Sequence, residues 1–281
     1  MIEIRFLDDL NDPADLHHTF LRAFSDYLIP MNLNRLQFQQ LLERRGTRKE
    51  VSVGAYDDGV PVGFTFNAFE MYGSIPTAYD VVTGIVPEAR QKGIAQRLFE
   101  FALPKLKKIG AQRYVLEVFE NNLPALRLYE KIGFSIARKL EVFTRSGVGR
   151  SQTRPYTIRA IEPEWELFQT FWDWEPSWQN SITSIDRSQS TKSIAGVFHD
   201  SELIGYGVVF TESADIPQFA IHPNHRRKGA GTALLDHLQA LAGRTIRVVN
   251  VDEASEHTIQ FLKSIGCMML GRQNEMIMIF D

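Results

Sequence analysis

Residues 83–101, TGIVPEARQKGIAQRLFEF, set Arg90, Lys92 and Gly93 between an apolar run closed by Pro87 and an amphipathic run. The chemistry such a turn offers is anion binding. A helix start leaves backbone N–H groups without partners and carries a positive partial charge. A glycine lets a ligand come close to the backbone. Arg-x-x-Gly-x-Ala at 90–95 is therefore suited to cradle a pyrophosphate, with a solvated basic turn that only caps the helix as the plainer alternative. Residues 219–235, FAIHPNHRRKGAGTALL, repeat the arrangement: Arg226 and Gly229 follow Arg90 and Gly93 at the same offset of 136 residues. Further on, FLKSIGC (261–267) follows LYEKIGF (128–134), with Gly266 in place of Gly133.

Self-similarity at so long a period points to duplicated domains rather than a solenoid of short repeats. The stretch RSGVGRSQTR (145–154) has no apolar periodicity and reads as the linker, with the boundary near Ser151. The expected domains are 1–146 and 151–281. In the first, IEIRFL alternates as a strand does. DPADLHHTFLRAFSDYL places Leu16, Phe20, Ala23, Phe24 and Tyr27 near one helical face, with Asp12 as N-cap and Pro13 at the first helical position. NRLQFQQLLERRG reads as a second helix ending at Gly46, and Asp57-Asp58-Gly59 as a hairpin turn. AYDVVTGIV and RYVLEVF are strands on either side of the helix AQRLFEFALPKLKKIG, in which Pro104 removes a donor and is expected to produce a kink. Asn122 caps the next helix, with Pro124 in its first turn, and IARKLEVF closes the unit as a strand. Mixed strands and helices imply α/β or α+β layers, one core per copy.

Composition narrows the classes. The chain has 281 residues, 44% of them hydrophobic, and a net charge of -3, which gives no overall basic signal for nucleic acid. One cysteine, Cys267, excludes an internal disulfide and fits a reducing compartment. The acidic opening MIEIRFLDDLND does not read as a signal peptide, and no run approaches a membrane span, so a cytoplasmic protein is expected. The seven histidines show no metal spacing, and no metal is expected.

The first copy resembles the GNAT superfamily of acyl-CoA-dependent N-acyltransferases through IVPEARQKGIA (85–95) and NNLPALRLYEKIGF (121–134), in the family's order. The whole chain is similar to a tandem GNAT protein. That resemblance implies two domains, each a mixed, mostly antiparallel twisted sheet with a splayed central strand pair flanked by helices. It implies acetyl-CoA as cosubstrate. Arg90, Gln91, Lys92, Gly93, Ile94 and Ala95 would hold the pyrophosphate through amides and side chains. Ile85 and Val86 would bond the pantetheine arm and acetyl carbonyl. Asn122 would touch the CoA arm, and Tyr129 would be the general acid beside the sulfur.

Acetyl transfer to an amine needs a neutral nucleophile, a polarised carbonyl and a stabilised thiolate. A thiol near pKa ~8.5 and a tyrosine near ~10 leave full proton transfer uphill by roughly 2 kcal/mol, so a strong hydrogen bond from Tyr129 can suffice. Deprotonating a lysine at pH 7 costs about 4.6 kcal/mol, and an α-amine little more than ~1. A carboxylate base helps the first case most. Asp80 and Glu117 are the candidates, a water chain is the alternative, and Asp26 and Tyr27 are candidates to line the acceptor pocket.

The second copy keeps the cradle as Ile221, His222, Arg226, Arg227, Lys228, Gly229, Ala230 and Gly231, a possible second CoA site. It places Leu262 at the position of Tyr129, Ser255 at that of Asn122 and Thr258 at that of Ala125. It is expected to be a structural partner, with a CoA-binding domain without turnover, or an active one using His222 or Tyr206 as acid, as alternatives. Trp165, Trp172, Trp174 and Trp178 all fall in this copy and read as core or interdomain packing, against a stacking platform for a ligand. The expected function is transfer of acetyl from acetyl-CoA to a primary amine, on a small molecule or a protein, in a direct ternary complex. An acyl-CoA sensor without turnover and an enzyme with both domains active are the rivals. No nucleic-acid or membrane partner is expected; monomer and homodimer both stay open.

Overall fold

In the computed structural model, which describes residues 1–8, 12–26, 31–147 and 155–280, the chain forms two units of mixed strands and helices. Unit 1 comprises Met1–Ala137, Asp186–Gln189 and Asn274–Asp281; unit 2 comprises Arg138–Ile185 and Ser190–Gln273.

Unit 1 opens with β1 (Ile2–Phe6), followed by a 3-10 turn at Pro13–Leu16, α1 (His17–Ala23) and α2 (Arg35–Arg44). Asp12 caps the 3-10 turn by accepting from the Ala14 amide. Helix α1 closes at Ala23, four residues before the expected Tyr27, which lies outside the described residues. A capping box between Asn34 and Gln37 starts α2. Strands β2 (Val53–Asp57) and β3 (Val60–Tyr72) meet at a turn with Asp58 at φ 47° and Gly59 at φ 81°. Both residues are left-handed, which matches the twist of an antiparallel hairpin. Strand β4 (Ile75–Ile85) pairs antiparallel with β3, α3 (Ile94–Lys108) crosses over, and β5 (Arg113–Phe119) returns parallel to β4. Helix α3 is unbroken through Pro104, which sits on the exposed face, where the carbonyl four residues back can meet water. Helix α4 (Leu123–Ile132) ends at Gly133, φ 115°.

The sheet of unit 1 has a different core on each face. Tyr114, Leu116 and Val118 of β5 pack with Leu98, Phe99 and Tyr129 of α3 and α4. On the other face Phe20 of α1 stacks on Phe38 of α2 at 4.4 Å, above Phe64 and Phe66 of β3.

Unit 2 repeats the plan with β7 (Thr157–Ala160), α5 (Trp165–Gln169), α6 (Ile182–Arg187), β8 (Lys192–His199), β9 (Glu202–Phe210), β10 (Asp215–Ile221), α7 (Ala230–Ala242), β11 (Ile246–Asp252) and α8 (Glu256–Ser264). The last two residues of α6 belong to unit 1. The strands of the two copies do not end where a cut at 146 and 151 puts them. Strand β6 (Ser135–Arg145) passes into unit 2 at Arg138, where it pairs with β11, and β12 (Met268–Ile279) passes into unit 1 at Asn274. Pairing partners lie over 100 residues apart, as Ile246 with Arg145, so a linker signal cannot reveal them. Among the described residues no helix is long and apolar enough to cross a membrane.

Candidate active site

Strands β4 and β5 part company early. Their pairing is limited to Thr77 with Arg113, Ala78 with Tyr114 and Tyr79 with Val115, while β4 runs on to Ile85 and β5 to Phe119. The cause lies on the other edge of β4. The β3 register shifts between Phe66 and Asn67, which leaves Val81 as an extra residue and bends the strand. The edge of residues 80–85 that faces β5 is thereby freed from strand pairing. Arg45 donates to the Val81 carbonyl there, at 2.9 Å. Val86, expected to bond a pantetheine arm, is buried with its amide already given to the Val62 carbonyl at 3.0 Å.

Beyond Val86 and a 3-10 turn at Pro87–Ala89, the loop turns left-handed at Gln91, φ 63°, and at Gly93, φ 70°. Gly93 caps α3, its carbonyl accepting from the Arg97 amide, and a Cβ placed on it would meet nothing within 4 Å. Gln91, Lys92 and Gly93 are exposed. The first-turn amides of Ile94 and Ala95 are the groups a helix start leaves for a ligand. The Arg90 side chain, expected on the pyrophosphate, goes elsewhere. It donates to the Ile85 carbonyl at 3.1 Å, to the Ala23 carbonyl at 2.9 Å and to both oxygens of Asp26 at 2.6 and 2.8 Å. Asp26, expected to line an acceptor pocket, is the other half of this fork.

Tyr129 is nearly buried, its ring edge-on to Phe99 at 5.6 Å and to Phe134 at 5.9 Å. Asn122 holds the start of its helix, accepting from the Ala125 amide at 3.4 Å. The two carboxylate candidates separate by strand alternation. Ala78 belongs to the α3/α4 core, and Asp80 shares its face. There Asp80 accepts from Thr83 at 2.9 and 3.0 Å and from Thr65 at 3.4 Å. Burial raises its carboxyl from the ordinary 3.8 to about 7, against the opposing effect of the threonine hydroxyls and Arg45. Glu117 alternates with Leu116 and Val118, so it faces the α1/α2 side, half-buried and beyond the last residue paired to β4. Its charge contributes, after burial, to holding the Tyr79 phenol above its usual range. Thus the structure brings Tyr129 and Asp80 to one face and Glu117 to the other.

In unit 2 the loop backbone recurs: Arg227 at φ 62° and Gly229 at φ 92°. Arg226 donates to the Ile221 carbonyl at 2.8 Å, the Phe171 carbonyl at 2.9 Å and Asp173 at 2.6 Å. Strands β10 and β11 also part after Asp215–Arg247 and Ile216–Val248. Here the parting is bridged. The Asn180 carbonyl accepts from Gln218 of β10 at 2.6 Å, and its amide donates to the Val249 carbonyl of β11 at 2.8 Å. Asn180 ends a 3-10 turn (Trp178–Asn180) in which Trp178 is fully buried. Ser177 accepts from Asn250 at 2.8 Å, and Asn250 from Gln273 at 3.1 Å. Tyr206, a rival acid, donates to Gln218 and accepts from Trp172, and burial keeps its pKa well above the ordinary value. His222, the other rival, caps the turn at Pro223 by accepting from the Asn224 amide at 3.3 Å. A Cβ on Gly231 would come 3.0 Å from Phe261, so this glycine permits helix packing. Leu262 is fully buried at the position of Tyr129. Trp178 is fully buried, Trp165, Trp172 and Trp174 are partly buried against the core clusters, and of the four Trp165 alone lies on an α-helix. Among the described residues no cluster of His, Cys, Asp or Glu suits a metal.

The duplication has a counterpart among known proteins. A family model, Acetyltransferase (GNAT) family, matches residues 14–134 and again residues 158–267. The chain belongs to this family. Over 75 residues this GNAT acetyltransferase is 35% identical to N-alpha-acetyltransferase 30 of Schizosaccharomyces pombe, covering 27% of the chain and 50% of that protein. Over 118 residues it is 30% identical to a mycothiol acetyltransferase of Brachybacterium faecium, covering 42% of the chain and 36% of that protein. The chain therefore spans half or less of these two relatives. In fold it is similar to a tandem GNAT protein from the clavulanic acid biosynthesis pathway, with TM-score 0.74 and 15% identity over 99% of this chain and 98% of that one. The GNAT family draws its acetyl group from acetyl-CoA. The exposed left-handed loop, the open space at Gly93 and the freed edge of β4 fit that cosubstrate in unit 1.

Proposed function

We propose that unit 1 transfers an acetyl group from acetyl-CoA to a primary amine, on a small molecule or a protein, by direct transfer in a ternary complex. The observation that carries this reading is the contrast at the two strand partings. In unit 1 the parting stands beside an exposed loop and Tyr129; in unit 2 Asn180 spans it and Leu262 replaces the tyrosine.

Acetyl-CoA supplies a thioester. The amides of Gln91 to Ala95 and the ammonium of Lys92 would hold its diphosphate, and the edge of β4 would receive its arm. Helices α3 and α4 lie on one face, so the arm enters from that face. The amine then reaches the parting from the face of α1 and α2, where Glu117 takes its proton. The Tyr129 hydroxyl holds a proton toward the departing sulfur. A second base, Asp80, is favoured by its burial, which pushes its carboxyl up to about 7, near the optimum for a proton acceptor at neutral pH. It faces the α3/α4 side, so it would act through Thr83. Unit 2 serves as a scaffold in this reading.

Calorimetric titration of the intact chain with acetyl-CoA tests it. One site per chain is expected. Two sites would return unit 2 to binding or catalysis, and no binding would defeat the acetyltransferase assignment of unit 1.

A further inference from the structure

We infer that Arg90 is a positioning residue: its guanidinium ties the ends of α1 and β4 together and so holds the Gln91–Gly93 turn in its anion-binding shape, without touching the diphosphate. This rests on the acetyl-CoA reading above.

A guanidinium has five N–H donors in a fixed fork. In Arg90 the fork is committed in three directions, to the last carbonyl of β4, to the last carbonyl of α1 and to both oxygens of Asp26. The Asp26 carboxyl is held below its usual range chiefly by the hydrogen bond from Arg90. The hydrogen bond to Asp26 likewise raises Arg90. The charge a phosphate would need is thus neutralised locally. A second ion pair, Arg22 with Glu88, joins the last turn of α1 to the 3-10 turn that follows β4.

The turn needs such support. Gln91 sits at φ 63°, where a residue with a side chain is strained and persists only if its surroundings over-determine it. Arg90 is the residue just before it. Unit 2 repeats the solution with different parts. Arg227 is left-handed at φ 62°, and Arg226 before it grips the Ile221 carbonyl, the Phe171 carbonyl and Asp173. The carbonyl and the carboxylate are three residues apart in unit 1, Ala23 and Asp26, and two apart in unit 2, Phe171 and Asp173. Two unlike segments have been fitted to one guanidinium geometry, which marks the fork as a requirement of the turn.

The two roles for Arg90 predict opposite signs. If Arg90 touched the diphosphate, Asp26→Asn would free its charge and tighten acetyl-CoA binding. As a positioning residue it loses half its anchorage, and acetyl-CoA binding weakens, by about 3- to 10-fold. Calorimetry with acetyl-CoA on the full chain reads this directly. Arg90→Ala should weaken binding by about 10- to 100-fold, and Arg90→Lys should recover little, since one ammonium cannot replace the fork. The double variant should bind no more weakly than Arg90→Ala alone. Asp26 is 57% exposed, so its variant keeps the fold, and an unchanged thermal midpoint confirms that the affinity loss is local. Equal or tighter binding by Asp26→Asn, or full recovery by Arg90→Lys, overturns the inference. A wild-type chain that binds no acetyl-CoA overturns the functional reading and this inference with it.

Discussion

The loops at Gln91–Gly93 and at Arg227–Gly229 have nearly the same backbone, left-handed at the same two positions, and each is gripped by the arginine that precedes it. The strand partings beside them differ. Unit 1 places titratable groups there, Asp80 and Glu117, with the hydroxyls of Thr65 and Thr83 donating to Asp80. Unit 2 fills the same region with neutral amides and aromatics, Asn180, Gln218, Asn250, Tyr206 and Trp178. The pair shows that a glycine loop of this shape joins a strand to a helix in both copies, and in the function proposed above only unit 1 adds a ligand to it. On that proposal, what separates a site from a fold element is the parting. A loop motif alone therefore over-reports function, and the residues bridging the strands are the better discriminator.

The largest expected effect tests whether the titratable character belongs to unit 1. Asp80 has its folded pKa raised to about 7 from 3.8, so the folded chain binds a proton there that the unfolded chain releases. Stability from this group is fully present below about pH 4 and declines as pH rises to about 7, by at most about 4 kcal/mol. Asp80→Asn, which can still accept from the threonines, should remove that decline. Thermal midpoints across pH 4 to 8 should then run flatter than in the wild type, with the variant the more stable at pH 8. Next comes the loop. Gly93→Val strains a left-handed position and fills the open space, so acetyl-CoA affinity should fall by about 100-fold, or ~2.7 kcal/mol. An unchanged affinity would mean that unit 1 does not use its loop. On catalysis, Glu117→Gln should lower kcat by about 100-fold and Tyr129→Phe by about 10- to 100-fold, with acetyl-CoA affinity unaltered in both. An acetyl-acceptor assay in which Asp80→Asn loses more than Glu117→Gln would reverse the assignment of the base. The smallest effect belongs to unit 2. Asn180→Ala removes one hydrogen bond, to Val249, and should destabilise by about 1 kcal/mol, because the Asn180 Oδ1 it also removes is buried without a partner. Acetyl-CoA stoichiometry should stay at one. A second site in this variant would show that the bridge is a removable gate.

Much of this was legible in the residues. The repeat, the hairpin at Asp58-Gly59, the caps at Asp12 and Asn122 and the change of Tyr129 to Leu262 all rest on local chemistry. What was illegible shares one cause, distance along the chain. A basic residue in an anion motif reads as a ligand contact, and only the approach of Asp26, 64 positions earlier, redirects Arg90. The bridge at Asn180 comes from WELFQTFWDWEPSWQN, whose aromatics advertise burial but not the strands they will meet. The faces of Asp80 and Glu117 follow from strand alternation, but the parting beside them depends on the bulge at Val81, which no residue type announces.

Strand β12 carries a consequence for how the enzyme is made. The core that holds Tyr129 also contains Met276 and Met278. The ribosome completes the motif ending at Phe134 long before it reaches those methionines, and at ordinary elongation rates the gap is on the order of ten seconds. Unit 1 therefore waits, begun first and closed last, with α4 lacking part of its core until β12 has emerged. A nascent chain stalled anywhere in unit 2 would hold Tyr129 and the glycine loop and yet lack Met276 and Met278, the part of their core that β12 supplies.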